Sequence, residues 1–172
     1  MKLEPASLHA PRGLAELLSD LGAGENGFMG TSVHSGEQTL EGYLQRCIDM
    51  TDPGKLQPGY VPQTVFWVID DDGEAVGMVR VRHYLNERLL EHGGHIGYYI
   101  CHDQRGRGYG KEALRQALAK LRNVGEKRAL LTVDMNNIAS IKVIQANGGV
   151  HQDTVDDPDG SRMCRFWIEL DK

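Results

Sequence analysis

The stretch Tyr98-Tyr99-Ile100-Cys101-His102-Asp103-Gln104-Arg105-Gly106-Arg107-Gly108-Tyr109-Gly110-Lys111 narrows the possible folds more than any other part of the chain. A strand-forming run ends, three glycines alternate with larger residues, and an amphipathic helix begins. That helix carries Ala113, Leu114, Ala117, Leu118 and Leu121 on one face and stops at Gly125. The first N–H groups of a helix lack partners inside it, and the helix dipole adds partial positive charge there. Glycine lets that backbone adopt positive φ and lets a ligand come close. Strand, loop and helix start together form a place for phosphate oxygens. Arg105, Arg107 and Lys111 set full positive charges around it.

Two common nucleotide loops do not fit these residues. A Walker loop needs Gly-x-x-x-x-Gly-Lys-Ser/Thr, and here Arg105 replaces its first glycine and Glu112 its hydroxyl. The dinucleotide fingerprint Gly-x-Gly-x-x-Gly puts Lys111 or Ala113 on its third glycine, depending on the start.

The surroundings predict a mixed sheet with helices. Met1 to Glu4 reads as a short strand. Leu14, Leu17, Leu18 and Leu21 fall on one face of a helix ending at Gly22. Leu40, Tyr43, Leu44, Cys47 and Ile48 repeat the spacing and predict a second helix over about 36–50. Gly22, Gly24, Gly27 and Gly30 make the connection between them a mobile loop at the border of a substrate site. Val65 to Ile69 and Ala75 to Arg82 read as a hairpin around Asp70-Asp71-Asp72-Gly73. A polar loop over 86–94 leads to a strand over 95–100. After the long helix come a buried strand over 129–133, a helix over 137–146 with Ile138, Ile141 and Ile144 on one side, and strands over 149–155 and 162–170 around an aspartate-rich turn. Trp67 and Trp167 lie in strands and are expected to fill the core.

Charge is unevenly spread. The net charge is −5, which argues against a general nucleic-acid binder, yet 104–128 alone holds eight Lys/Arg against two Glu and leaves −11 for the rest. One basic segment in an acidic chain suits a polyanionic ligand, with surroundings that favour a cationic second substrate. No apolar stretch approaches the roughly 20 residues that span a bilayer. Met1-Lys2-Leu3-Glu4-Pro5 lacks the apolar core of a signal peptide, so a cytoplasmic location is expected. Cys47, Cys101 and Cys164 are too few and scattered for a disulfide framework or zinc cage. His9, His34 and His151 lack metal spacing, so no metal is expected.

The pattern Arg/Gln-x-x-Gly-x-Gly/Ala, met by Arg105-Gly106-Arg107-Gly108-Tyr109-Gly110, resembles the GNAT superfamily of N-acetyltransferases. His95-Ile96-Gly97-Tyr98 and Asn137-Ile138-Ala139-Ser140 are similar to a bacterial group within it whose substrates are unknown. The resemblance covers about residues 60–155. It implies an α/β acyl-CoA N-acyltransferase fold: a mixed, mostly antiparallel sheet of six to seven strands, helices on both faces, acetyl-CoA in a central split. One domain over 1–172 would comprise acceptor-side helices over about 5–62, an acetyl-CoA core over about 63–155 and a C-terminal hairpin over about 149–172. Main-chain amides from Arg105 through Gly106, Arg107, Gly108, Tyr109 and Gly110 to Lys111 would hold the diphosphate of coenzyme A. The N–H near Ile100 would polarise the acetyl carbonyl, and Asn137 and Ser140 would meet the pantetheine. The acceptor would be an amine of a small molecule or protein. A homodimer is left open.

Acetyl transfer to an amine requires a proton acceptor, since alkylamines are mostly protonated at neutral pH. Relatives often place a Glu where this chain has His95, which makes His95 the candidate general base; a structural histidine holding Gly93-Gly94 is the other reading. His83, His92 and Glu91 are further candidates. Relatives also use a Tyr where this chain has Ile144, which leaves the proton donor to the departing thiolate unassigned; Tyr98 or Tyr99 is available. Direct transfer in a ternary complex is expected, with Cys101 as a small apolar residue. The missing Tyr also allows a non-catalytic acyl-CoA-binding or sensing module.

Overall fold

The computed structural model describes residues 1–171. In chain order the elements are β1 (Lys2–Pro5), α1 (Leu14–Leu21), β2 (Gly24–Glu25), β3 (Phe28–Met29), α2 (Leu40–Asp49), β4 (Gln63–Ile69), β5 (Ala75–Arg82), α3 (Glu87–Glu91), β6 (Ile96–Ile100), α4 (Tyr109–Asn123), β7 (Arg128–Asp134), α5 (Ile138–Ala146), β8 (Val150–Asp156) and β9 (Arg162–Glu169). Strands β1-β4-β5-β6 form one antiparallel sheet and β7-β9-β8 another, with β2–β3 a separate small hairpin.

Apolar periodicity explains both layers. The stripe of α4 packs with Val79, Val81, Ile96, Leu131 and Phe166 on one face of the strands. Leu14, Leu17, Leu18 and Leu21 of α1 and Tyr43, Leu44 and Cys47 of α2 pack with Trp67 and Met78 on the other. Helices therefore cover both faces, as the acyl-CoA N-acyltransferase fold requires. No helix among the described residues is long and apolar enough to cross a membrane.

Several local expectations shift. Helix α2 starts at Leu40 rather than near 36, because the Thr39 hydroxyl accepts the Gly42 N–H and caps it. The glycine-rich connection folds into the β2–β3 hairpin. The polar loop over 86–94 contains α3, capped by Asn86 accepting from Leu89 N–H. Of Ile138, Ile141 and Ile144 only the last is fully buried; Ile138 is exposed. Trp67 fills the core, but Trp167 does not: it lies half-buried under the Arg128 guanidinium, its indole N–H on Gln152.

The two sheets meet at one point and then part. His95 N–H donates to the Leu130 carbonyl at 2.7 Å, and Leu130 N–H donates back to His95 Nδ1 at 2.9 Å. Gly94 makes the crossing possible: its φ is +64°, and a Cβ there would lie 2.4 Å from the Leu130 oxygen. Beyond this junction β6 forms no ladder with β7.

Candidate active site

Hydrogen-bond alternation tells what lines the gap. In an antiparallel pair every second residue turns its N–H and C=O toward the partner strand. Arg82 N–H donates to His95 O and Cys101 N–H to Val76 O, so in β6 the odd-numbered residues face β5. The main-chain N–H groups of Tyr98 and Ile100 therefore point away from β5, toward β7. On β7, Leu170 N–H donates to Lys127 O and Met135 N–H to Arg162 O, which places Thr132 on the side away from β9. The gap thus has a strand edge with unpaired main-chain groups on each wall, and His95–Leu130 closes its apex.

At the open end lies the glycine loop. Gly106 and Gly108 have φ of +76° and +86°, and a Cβ on either would meet nothing within 4 Å. Arg105 N–H donates to His102 O at 3.5 Å, and the first bonded amide of α4 is Glu112 N–H to Gly108 O. Among the described residues, the six consecutive amides from Gly106 to Lys111 have no protein acceptor. Six unpaired donors at a helix mouth, with open space beside them, form an anion cradle. Lys111, at the cradle, has no ion-pair partner among the described residues.

Arg105 departs from the expectation. Its Nε donates to the Ile100 carbonyl at 2.9 Å, and its two Nη atoms hold the Glu25 carboxylate at 3.2 and 2.7 Å. Its charge is spent inside the protein. This fork belongs to a cluster of α1, the β2–β3 hairpin and the loop. Tyr99 OH donates to Asp20 Oδ2 at 2.5 Å, His102 N–H to the same oxygen at 3.0 Å, and His102 Nε2 lies 3.4 Å from Glu25. The Arg105 bonds hold the Glu25 carboxyl below the usual range. Burial would raise Asp20, but the bonds from Tyr99 and His102 outweigh it and leave it lowered. The cluster ties the acceptor-side elements to the cradle.

The gap and the acceptor side form one continuous cleft of 1690 Å³. Ile100, Tyr98, Asn137, Ser140 and the cradle residues other than Arg107 line it. Tyr98 Oη and Ser140 Oγ share a hydrogen bond of 2.6 Å, joining β6 to α5. Burial pushes the Tyr98 phenol up to about 12, although Ser140 pulls the other way, so it is a neutral donor at physiological pH. Asn137 caps α5 by accepting from Ser140 N–H, so its oxygen is already engaged. Gly110 lies at the inner end, where a Cβ would touch Val143, Ile100 and Tyr98.

His95 is not on the cleft wall. It is 2% exposed, Nδ1 accepts from Leu130, and Nε2 faces Glu126 at 3.7 Å. Burial, reinforced by Arg82, lowers its pKa to about 4. Two imidazoles line the cleft, the exposed His34 and the half-buried His92; His92 Nδ1 lies 2.6 Å from Asp157 Oδ1, a close approach at angles outside hydrogen-bond geometry. Cys101 is buried, and burial, with Asp20 and Asp103 nearby, pushes its thiol up to about 12. Ile144 is buried.

Comparison with known proteins then fixes the family. Residues 38–148 match the model of the acetyltransferase (GNAT) family. The chain belongs to that family and is an N-acetyltransferase. No curated protein matches it. Among solved structures it is similar to a candidate acetyltransferase from Acinetobacter baylyi, with TM-score 0.68 and 15% identity over 99% of this chain and 93% of that one. A candidate GNAT-family acetyltransferase from Bordetella pertussis aligns with TM-score 0.66 and 19% identity over 96% and 93%. A candidate acetyltransferase from Salmonella typhimurium, solved with acetyl-CoA, aligns with TM-score 0.51 and 16% identity over 64% of this chain; the match spans 65% of that protein's length. At these identities the likenesses speak for the fold.

Proposed function

We propose that the chain transfers the acetyl group of acetyl-CoA to a primary amine by direct attack in a ternary complex. The observation that carries this is the row of six unpaired amides, Gly106 to Lys111, at the mouth of a gap with unpaired strand edges. The chemistry fits the donor set. The diphosphate would take the six amides, the pantetheine amides would pair with the edges at Tyr98 and Thr132, and the Ile100 region would supply an N–H to the carbonyl. Arg107 and Lys111, rather than Arg105, would supply the side-chain charge.

In the transfer, a bond forms from the amine nitrogen to the carbonyl carbon and the carbon–sulfur bond breaks. The amine loses one proton and the departing thiolate gains one. We assign the proton acceptor to His92, the imidazole on the cleft wall beside Asp157, and return His95 to a structural role at the apex. The Tyr98 hydroxyl, a neutral donor, would hydrogen-bond to the thiolate; a thiol, with a pKa of roughly 8.5, needs no stronger acid. The raised Cys101 thiol favours direct transfer over an acetyl-cysteine intermediate.

Thiol release from acetyl-CoA over a broad amine panel tests the proposal. Turnover with some amine is expected. The buried Ile144, without a hydroxyl, favours the second reading, an acyl-CoA-binding module. Tight binding of acetyl-CoA with no thiol release from any amine would establish that reading instead.

A further inference from the structure

The acceptor half of the cleft has an unbalanced charge. Four carboxylates line the cleft: Glu25, Glu37, Asp49 and Asp157. Glu25 is held by Arg105 and Asp49 by Lys55; Asp157 faces His92, which as a proton acceptor carries no charge, and the exposed Glu37 has no basic partner among the described residues. Arg80, Arg82 and Arg88 also line the cleft, and none lies within 4.0 Å of a carboxylate among the described residues.

The three come from neighbouring elements of the cleft wall. Arg80 and Arg82 alternate on one face of β5, opposite Gly97 and level with His95, and Arg88 comes from α3. Arg82 is half-buried, and only its Nη1 is occupied, by the carbonyls of Gly93 and Gly94 at 3.3 and 2.8 Å. Arg80 lies 4.2 Å over the Phe28 ring and gives one Nη2 bond to the Met29 carbonyl. These contacts fix both guanidiniums and leave Nε and one Nη of each without an acceptor. Burial lowers the Arg82 pKa, and the charges of Arg80 and Arg88 lower it further, as mutual repulsion requires. Arg82 is the desolvated member, while Arg80 is half-buried and Arg88 exposed, so the unused donors face the cleft solvent and stand open to an anion that would relieve the repulsion.

That anion is not the diphosphate. Arg82 is level with His95, five residues along β6 from Ile100 and the cradle, which is roughly 17 Å of strand. His92 follows Arg88 on the same short helix turn, its N–H on the Arg88 carbonyl.

We infer that the acceptor is a small amine bearing its own oxyanion, a carboxylate or phosphonate, which Arg82 receives with Arg80 and Arg88 while the amine turns toward His92 and the gap. The inference rests on the acetyl-transfer reading and narrows its substrate. It reverses the expectation from bulk charge: the acidic remainder of the chain favours a cation, but at the cleft Glu25 and Asp49 are neutralised locally and Arg80, Arg82 and Arg88 outnumber Glu37 and Asp157.

The test compares α-amino acids and aminoalkylphosphonates with the amines that remain when the anionic group is removed, and with spermidine. Thiol release is followed with the full-length protein at saturating acetyl-CoA. The anionic member of each pair should have the higher kcat/KM by about tenfold or more, the effect of a charge-assisted hydrogen bond. Which anionic set leads tells carboxylate from phosphonate. Arg80→Gln and Arg88→Glu should shrink that ratio by about tenfold while the acetyl-CoA Kd stays unchanged, a selectivity change that misfolding would not produce. Preference for neutral amines or spermidine, or an unchanged ratio in both variants, would overturn the inference. If acetyl-CoA binds but nothing is turned over, calorimetry on the CoA-loaded protein decides: arginine-dependent binding of the anionic members supports the site, and no binding sinks it. Failure of acetyl-CoA to bind would instead remove the transfer reading and the inference together.

Discussion

Acid should loosen this protein through His95. The imidazole accepts the Leu130 N–H on Nδ1, so its proton sits on Nε2 and the neutral ring is the one the fold needs. A second proton would go on Nδ1 and replace an acceptor by a donor facing Leu130 N–H. Burial first, and the nearby Arg82 charge second, lower the ring's pKa to about 4 in the folded chain, against about 6.5 when unfolded. Because the folded value is the lower one, the unfolded chain binds more protons between these limits, and stability falls as pH drops. The loss begins near pH 6.5, reaches about 2 kcal/mol at pH 5 and levels at about 3 kcal/mol below pH 4. His95→Asn keeps a side-chain carbonyl near Nδ1 but cannot ionise. Urea unfolding of both proteins from pH 8 to pH 5 separates the effect from other groups. His83, also lowered by burial, titrates in both and cancels. The variant should be the less stable at pH 8, through lost packing, and should lose about 2 kcal/mol less than the parent on going to pH 5. Parallel pH curves would refute the role given to the ring.

Other substitutions probe separate parts of the account. Gly94→Ala should cost about 2 kcal/mol or more, since φ is +64° and the new Cβ would meet the Leu130 oxygen at 2.4 Å; a melting temperature equal to the parent's would contradict the tight crossing. Tyr98→Phe should lower kcat about tenfold to a hundredfold with little change in acetyl-CoA affinity, and an unaltered kcat would leave the phenol as packing. His92→Gln should lower kcat at neutral pH by about a hundredfold, whereas a retained rate and pH profile would free His92 from the proton path.

What the sequence made legible was local. Strand β5 and helix α4 carry their periods in plain view, and the glycine loop sits between a strand and a helix within one short stretch. Short elements escaped: α3 has five residues and the strands of the β2–β3 hairpin two each, too few to show a period. The site residues whose surroundings differ from the expectation share one feature, partners distant in the chain. Arg105 reads as a phosphate ligand until Glu25, 80 residues earlier, takes its fork. His95 reads as a base until Leu130, 35 residues on, takes its Nδ1. Asp157 reads as turn chemistry, which it is, but the fold also sets it beside His92. Arg80 and Arg82 show a period of two in β5, yet only tertiary structure reveals that among the described residues no carboxylate answers them.

Titration calorimetry with acetyl-CoA on the parent protein and on Gly108→Glu bears most directly on the cradle. The parent should give saturable one-to-one heat, and the variant none, because a carboxylate would fill the open space beside the free amides of an otherwise intact fold. No heat from the parent, or equal affinity in the two proteins, would contradict the assignment of Gly106 to Lys111 as the binding site.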